Sequence, residues 1–145
     1  MKRANIYKRK NVIYLHSSSM TTAGIWMATQ PFVAIDVSED DVVKVNHIKN
    51  ALEQSREYIP HPARSSNLFE PILKLAGVTS YSEFTESARS CSIELEGRRL
   101  RFIPYRNLGP RIGHEEITGR IKSVSINASA ERITATLESA FDACE

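Results

Sequence analysis

Two alternating segments, Ser92-Ile93-Glu94-Leu95 and Leu100-Arg101-Phe102-Ile103, stand on either side of Glu96-Gly97-Arg98-Arg99. Strand side chains point to opposite faces with a period of two, so each segment has an apolar face that must be buried. The glycine-containing break folds one segment back on the other as a hairpin. A second hairpin is predicted near the start of the chain, where Ile6-Tyr7-Lys8 and Val12-Ile13-Tyr14-Leu15 flank a polar turn over Arg9 to Asn11. A third strand is expected over Gly24 to Ala28 and Phe32 to Ile35, with Pro31 confining it to an edge or a bulge. The polar stretch Ser17 to Thr22 before it reads as strand end and loop. A sheet with an apolar face needs a cover, and the end of the chain supplies one. Ile133, Leu137, Ala140, Phe141 and Cys144 fall on one helical stripe, with Ser129 as its cap. The expected architecture is therefore α+β: one domain over residues 1–145, a mainly antiparallel sheet built from hairpins, several helices, and the C-terminal helix packed on the sheet.

Other elements follow from local chemistry. Ser38 with Glu39, Asp40 and Asp41 behind it offers a cap and acids for the positive end of a helix dipole, and Val45, Ile48, Leu52 and Ser55 then recur at helical spacing. Pro60 and Pro62 make Tyr58 to Asn67 a loop, because each proline forces its predecessor to extended geometry. Pro71 opens a short helix to Ala76 that Gly77 closes. Ser80 to Glu83 fits a capping box, starting another through Phe84 and Ala88. Gly119 to Ile126 alternates again and reads as a last strand. At 145 residues and 41% apolar composition the chain can bury one core without staples. No apolar run approaches the roughly 18 residues of a membrane helix, and MKRANIYKRK lacks a signal-peptide core, so a cytosolic location and no membrane contact are expected.

Little in the sequence announces chemistry. Cys91 and Cys144 are far apart and lack metal-ligand or redox-motif spacing, so both read as structural thiols. His16, His47, His61 and His114 are scattered, and no metal or other cofactor is expected. Ser17-Ser18-Ser19 lacks the strained turn that activates a serine nucleophile. Gly109-Pro110-Arg111-Ile112-Gly113 lacks the Lys-Ser/Thr of a phosphate loop. The best enzyme-like set is His16 with Thr21 and Thr22, plus Arg98, Arg99, Arg101 and Arg106, as in a metal-independent ribonuclease, but no second proton-transfer group is singled out. The plainer reading makes His16 a strand-end residue bonded to the polar loop, the arginines a solvated face, and Trp26 a core anchor. An RNA-binding module using the arginines of 98–111 is the third reading. Charge is segregated beneath a net +2: residues 1–35 hold five bases and no acid, 36–57 and 112–145 are each acidic by three, and 91–111 are basic by three. Such alternation favours steered binding to a charged partner.

The run Ile13 to Ala28, with His16-Ser17-Ser18-Ser19, Thr21-Thr22-Ala23-Gly24 and Trp26, resembles the immunity proteins of bacterial contact-dependent growth inhibition systems. Similarity continues through Pro60-His61-Pro62 and Phe69 to Val78, covering about residues 5–105. The resemblance implies a non-enzymatic cytosolic protein whose partner is the C-terminal toxin domain of a cognate effector, commonly a nuclease and often one that cuts tRNA. It implies no direct contact with nucleic acid. In such proteins His16, Ser17, Ser18, Ser19, Thr21, Thr22, Gly24 and Trp26 would be scaffold. A nuclease holds its polyanionic substrate in a basic groove, which carboxylates can fill. Asp36, Glu39, Asp40 and Asp41 form one candidate toxin-binding cluster, and Glu115 with Glu116 a second.

Overall fold

The computed structural model describes residues 1–63 and 67–145. Its seven strands are β1 (Lys2–Arg9), β2 (Val12–Met20), β3 (Trp26–Asp36), β4 (Ala88–Glu96), β5 (Arg99–Asn107), β6 (His114–Glu116) and β7 (Lys122–Ser125). Four helices join them: α1 (Asp41–Glu53), α2 (Glu70–Ala76), α3 (Tyr81–Glu86) and α4 (Ala130–Asp142). Every strand pair is antiparallel. The order is β3-β2-β1-β4-β5-β6, and β7 also pairs β5. The β1–β2 hairpin closes at Arg9↔Val12 and the β4–β5 hairpin at Glu96↔Arg99. Each leaves a two-residue turn in which Lys10 (φ 56°) or Gly97 (φ 61°) takes the left-handed backbone such turns demand.

One face of the sheet carries Ala4, Ile6, Ile13, Leu15, Cys91, Ile93 and Phe102, and α1 and α4 cover it with Val45, Ile48, Leu52, Ile133, Leu137 and Phe141. The C-terminal helix thus packs on the sheet, its Ser129 hydroxyl accepting from the Arg132 N–H at 3.2 Å. The opposite face has a smaller cluster, where α2 and α3 bring Ile72, Leu73 and Phe84 onto Tyr7 and Tyr14. Gly77 ends α2 in the left-handed conformation, and the Ser80 hydroxyl caps α3. Among the described residues no helix is long and apolar enough to cross a membrane.

Several local expectations are corrected. Ser17, Ser18 and Ser19 are not loop: they lie buried inside β2, where the Ser18 and Ser19 hydroxyls find partners on β1 and β3 while the Ser17 hydroxyl is enclosed without one. Asp40, not Ser38, stands at the cap of α1; Ser38 is held in the preceding turn by donating its N–H and hydroxyl to Asp36 Oδ1 at 2.8 and 2.6 Å. The helix begun at Ser80 stops at Glu86, and Ala88 already pairs with Arg9 as the first residue of β4. Residues 118–120 form a 3-10 turn, so the last strand starts only at Lys122. Strand β6, only three residues long, answers to no alternation in the sequence. Pro31 sits on an edge strand at a bulge, where the β2 register jumps from His16↔Phe32 to Ser17↔Thr29. In the 58–67 loop Ile59 bridges to Thr21, and 64–66 lie outside the described residues.

Candidate functional site

The face bearing Tyr7 and Tyr14 changes character along the strands. Because directly paired residues share a face, the registers place Ser18, Arg3, Glu94 and Arg101 in one row across β2, β1, β4 and β5. His16, Asn5 and Ser92 form the next row. Arg3 is the hub. Its guanidinium donates to Ser92 Oγ (2.8 Å) and Tyr105 Oη (2.9 Å), lies 3.7 Å from the Glu116 carboxylate, and stands 5.6 Å from the centre of the Trp26 ring. Asn5 donates to Ser92 Oγ at 3.2 Å and accepts from the Ser18 hydroxyl. Beside this network is a cleft of about 270 Å³ lined by Arg3, Asn5, Tyr7, His16, Ser18, Trp26, Met27, Ala28, Phe69 and Tyr81. A smaller recess of about 130 Å³ shares Asn5, Tyr7 and Tyr81 with it and adds Ser90, Tyr105 and His114. Burial raises the Tyr105 phenol above its usual range, with the Ser92 and Arg3 contacts opposing, so it remains a neutral hydroxyl. Trp26 is half-buried at the rim, not a core anchor, because β3 is an edge strand and its ring turns to Arg3.

His16 is no strand-end residue either. It is 4% exposed in the middle of β2. Its Nδ1 is 2.8 Å from the Ser17 carbonyl oxygen, which can only accept, so Nδ1 carries the proton. Nε2 then accepts from the Tyr7 hydroxyl at 3.2 Å. Burial pushes its pKa down to about 4, against the smaller opposing effect of the Ser17 contact. Both ring nitrogens are engaged and burial disfavours the charged ring, so His16 is poorly suited to take up a proton at pH 7. Nor does the rest of the ribonuclease set assemble around it. Thr21 meets His61 Nδ1 (3.2 Å), Arg101 faces Glu94 (3.9 Å), and Arg106 is held by Glu145 (2.6 Å) and Glu115 (3.8 Å). Arg98, Arg99 and Arg111 are exposed. The Leu108 to Gly113 loop closes on itself through 2.8 Å backbone bonds from the Leu108 N–H to the Gly113 carbonyl and from the Gly113 N–H to the Gly109 carbonyl. Among the described residues no three His, Cys, Asp or Glu side chains gather as metal ligands.

The remaining residues of the 16–26 run build the β2–β3 connection. Ser19 Oγ meets Thr29 Oγ1 at 2.9 Å, and Thr21 Oγ1 accepts from the Ala23 and Ile25 N–H groups. Thr22 donates its N–H to the Ile59 carbonyl, and Gly24 supplies φ 78° in the turn. The two acidic clusters lie at opposite edges. Asp36 ends β3, and Glu115 and Glu116 are in β6, five strand positions away in the sheet order. Glu115 and Glu116 are engaged by Arg106 and Arg3. Asp36, Glu39, Asp40 and Asp41 form no ion pair among the described residues. The Asp36 carboxyl is held below its usual range, chiefly by the Ser38 hydroxyl and N–H. They make a solvent-facing acidic knuckle between β3 and α1. The Arg3 network escaped the sequence reading, though one signal was present: Arg3, Asn5 and Tyr7 alternate with Ala4 and Ile6.

Comparison with known proteins places this arrangement among solved folds. No family model matches the chain, and no curated protein does. Among solved structures, a Neisseria meningitidis protein of unknown function superimposes with a TM-score of 0.80 at 16% identity, over 99% of this chain and 95% of its own. A chain of a CdiA-CT/CdiI toxin and immunity complex from Yersinia pseudotuberculosis matches with a TM-score of 0.78 at 15% identity, over 99% and 97%. The α+β fold of the present chain is therefore shared along essentially its whole length with a component of a toxin–immunity complex.

Proposed function

We propose that this protein is an immunity protein that binds and neutralises the C-terminal toxin domain of a contact-dependent growth inhibition effector inside the bacterial cytosol. The observation that carries the reading is the full-length likeness to a chain of a toxin and immunity complex, which agrees with the motif resemblance of residues 13–28. The toxin is a nuclease, tRNA-directed, and the protein itself is not an enzyme and uses no cofactor. Two features support this. His16 has no free ring nitrogen for acid–base work, and the acidic knuckle Asp36–Asp41 is unpaired among the described residues, in the form a basic substrate groove attracts. Blocking that groove keeps tRNA out without any contact between the inhibitor and RNA.

The deciding experiment starts from the neighbouring open reading frames, where a large effector gene ending in a toxin-sized domain is expected, and uses that domain as the partner. Calorimetric titration is expected to give a tight one-to-one complex, and tRNA cleavage by the toxin is expected to stop at stoichiometric inhibitor. The protein alone, incubated with tRNA, is expected neither to cleave nor to retain it. Cleavage would return the ribonuclease reading, retention the RNA-binding reading, and absence of a complex would overturn the proposal.

A further inference from the structure

Cys91 and Cys144 are 53 positions apart in sequence, yet their sulfur atoms lie 3.7 Å from one another. Cys91 is on the buried face of β4 at the centre of the sheet, fully enclosed, while Cys144 follows α4 and is partly open to solvent. The segment bearing Cys144 is fastened on both sides. Upstream, the Phe141 carbonyl accepts from Arg89 at 3.0 Å. Downstream, Glu145 donates its N–H to the Tyr105 carbonyl (3.2 Å) and accepts from the Asn107 N–H (2.7 Å), continuing along β5 where the β4–β5 register ends at Cys91↔Pro104. Its carboxylate is gripped by Arg106 at 2.6 Å and lies 3.5 Å from Arg120. The two thiols are thus held together mainly by backbone and ion-pair contacts, to which the Cys144 thiol adds a hydrogen bond donated to the Ser90 carbonyl at 3.2 Å. Neither has a role in the toxin-binding reading, and no third ligand makes them a metal site among the described residues.

We propose that Cys91 and Cys144 form a redox-active dithiol that a hydroperoxide converts into an intramolecular disulfide. Cys144 is the more exposed of the two residues, which makes it the attacking sulfur. Its neighbour's thiol, hydrogen-bonding to it, is the leading influence that brings the Cys144 pKa down to about 7, with burial opposing, whereas Cys91 is pushed up by that same contact and by burial. Of the pair, Cys144 is therefore the thiol that ionises more readily. The thiolate attacks one peroxide oxygen: a sulfur–oxygen bond forms, the oxygen–oxygen bond breaks, and the second oxygen leaves as hydroxide that takes a proton to become water. Cys91 then attacks the sulfenic sulfur, forming the sulfur–sulfur bond and releasing the oxygen as a second water. With hydrogen peroxide, two thiols and one oxidant give one disulfide and two waters. The sulfurs must close from 3.7 Å to the about 2.05 Å of a disulfide bond.

The test is intact-mass spectrometry of the purified full chain before and after stoichiometric hydrogen peroxide, followed by non-reducing trypsin digestion. The expected product has lost two hydrogens, titrates no free thiol, and yields one linked species joining residues 90–98 to 133–145. Dithiothreitol is expected to restore the starting mass. In Cys91→Ser the reaction is expected to stop at a sulfenic acid on residue 144 that a cyclic 1,3-diketone traps. An unchanged mass, oxygen addition without the cross-link in the wild-type chain, or disulfides only between molecules would overturn the proposal.

Discussion

Protonating His16 requires its Nε2 to give up the lone pair that accepts from Tyr7, in a residue only 4% exposed. That is why its folded pKa, about 4, lies below the ordinary 6.5. Between those values the unfolded chain binds more protons than the folded one, so stability rises with pH through the window. The contribution is complete above pH 6.5 and is lost as the pH falls toward 4, by about 3 kcal/mol over the interval. Urea denaturation at a series of pH values is expected to show this slope, and His16→Gln to flatten it; an equal slope in both proteins would show that other groups set the acid sensitivity. The acids of the knuckle pose the opposite problem, since Asp40 and Asp41 are stationed at a helix start where the dipole alone favours them. Asp40→Lys with Asp41→Lys distinguishes helix support from partner binding. Affinity for a basic toxin groove is expected to fall at least tenfold and to lose its salt dependence, while folding weakens by about 0.3–1 kcal/mol per site. Unchanged affinity in a still-folded variant would remove the knuckle from the interface.

Helix α4 gains its hold from both its ends and its stripe. Ser129→Ala is expected to cost about 1 kcal/mol through the lost cap, and Leu137→Ala about 2–5 kcal/mol through a cavity between α4 and the sheet, both read by chemical denaturation. Equal losses would mean that the stripe does not bear on the core. Both features were legible because they are local: a cap and a 3.6-residue period are written within one segment. The hairpins were legible for the same reason, through alternation on either side of Lys10-Asn11 and Gly97-Arg98. Strand β6 was not, since three residues carry no period and it exists only because β5 presents Tyr105 to Asn107 as partners. The serines of β2 misled because polarity argues for solvent. What buries Ser18 and Ser19 is Asn5 in one strand and Thr29 in another. The Arg3 hub was hidden likewise: it joins β1, β4, β5, β6 and the start of β3, contacts no local pattern encodes. The acidic residues could be found as clusters, but their separation to opposite edges follows from strand order alone.

At the scale of the whole molecule the sheet is a central layer with unequal support on its two faces. Among the described residues, eighteen buried side chains form the cluster under α1 and α4, against five in the cluster under α2 and α3. At about 25 cal/mol per Å² of apolar surface removed from water, the second layer has far less holding it down. Hydrogen exchange under native conditions is expected to divide the backbone accordingly. Amides of β1, β4 and α4 exchange only through global unfolding, with the full denaturant dependence of that transition. Those of α2 and α3 are expected to exchange earlier and with a shallow dependence, which mass spectrometry at rising urea measures; identical free energies in both sets would contradict it. The consequence is that the protein behaves as two cooperative units of different stability sharing one sheet. The weaker unit carries Phe69 and Phe84 on Tyr7, with Tyr81 edge-on to Phe69, so its excursions uncover aromatic surface while the main core stays shut. Under thermal stress, self-association should therefore begin from a nearly native state and at a temperature below the global melt.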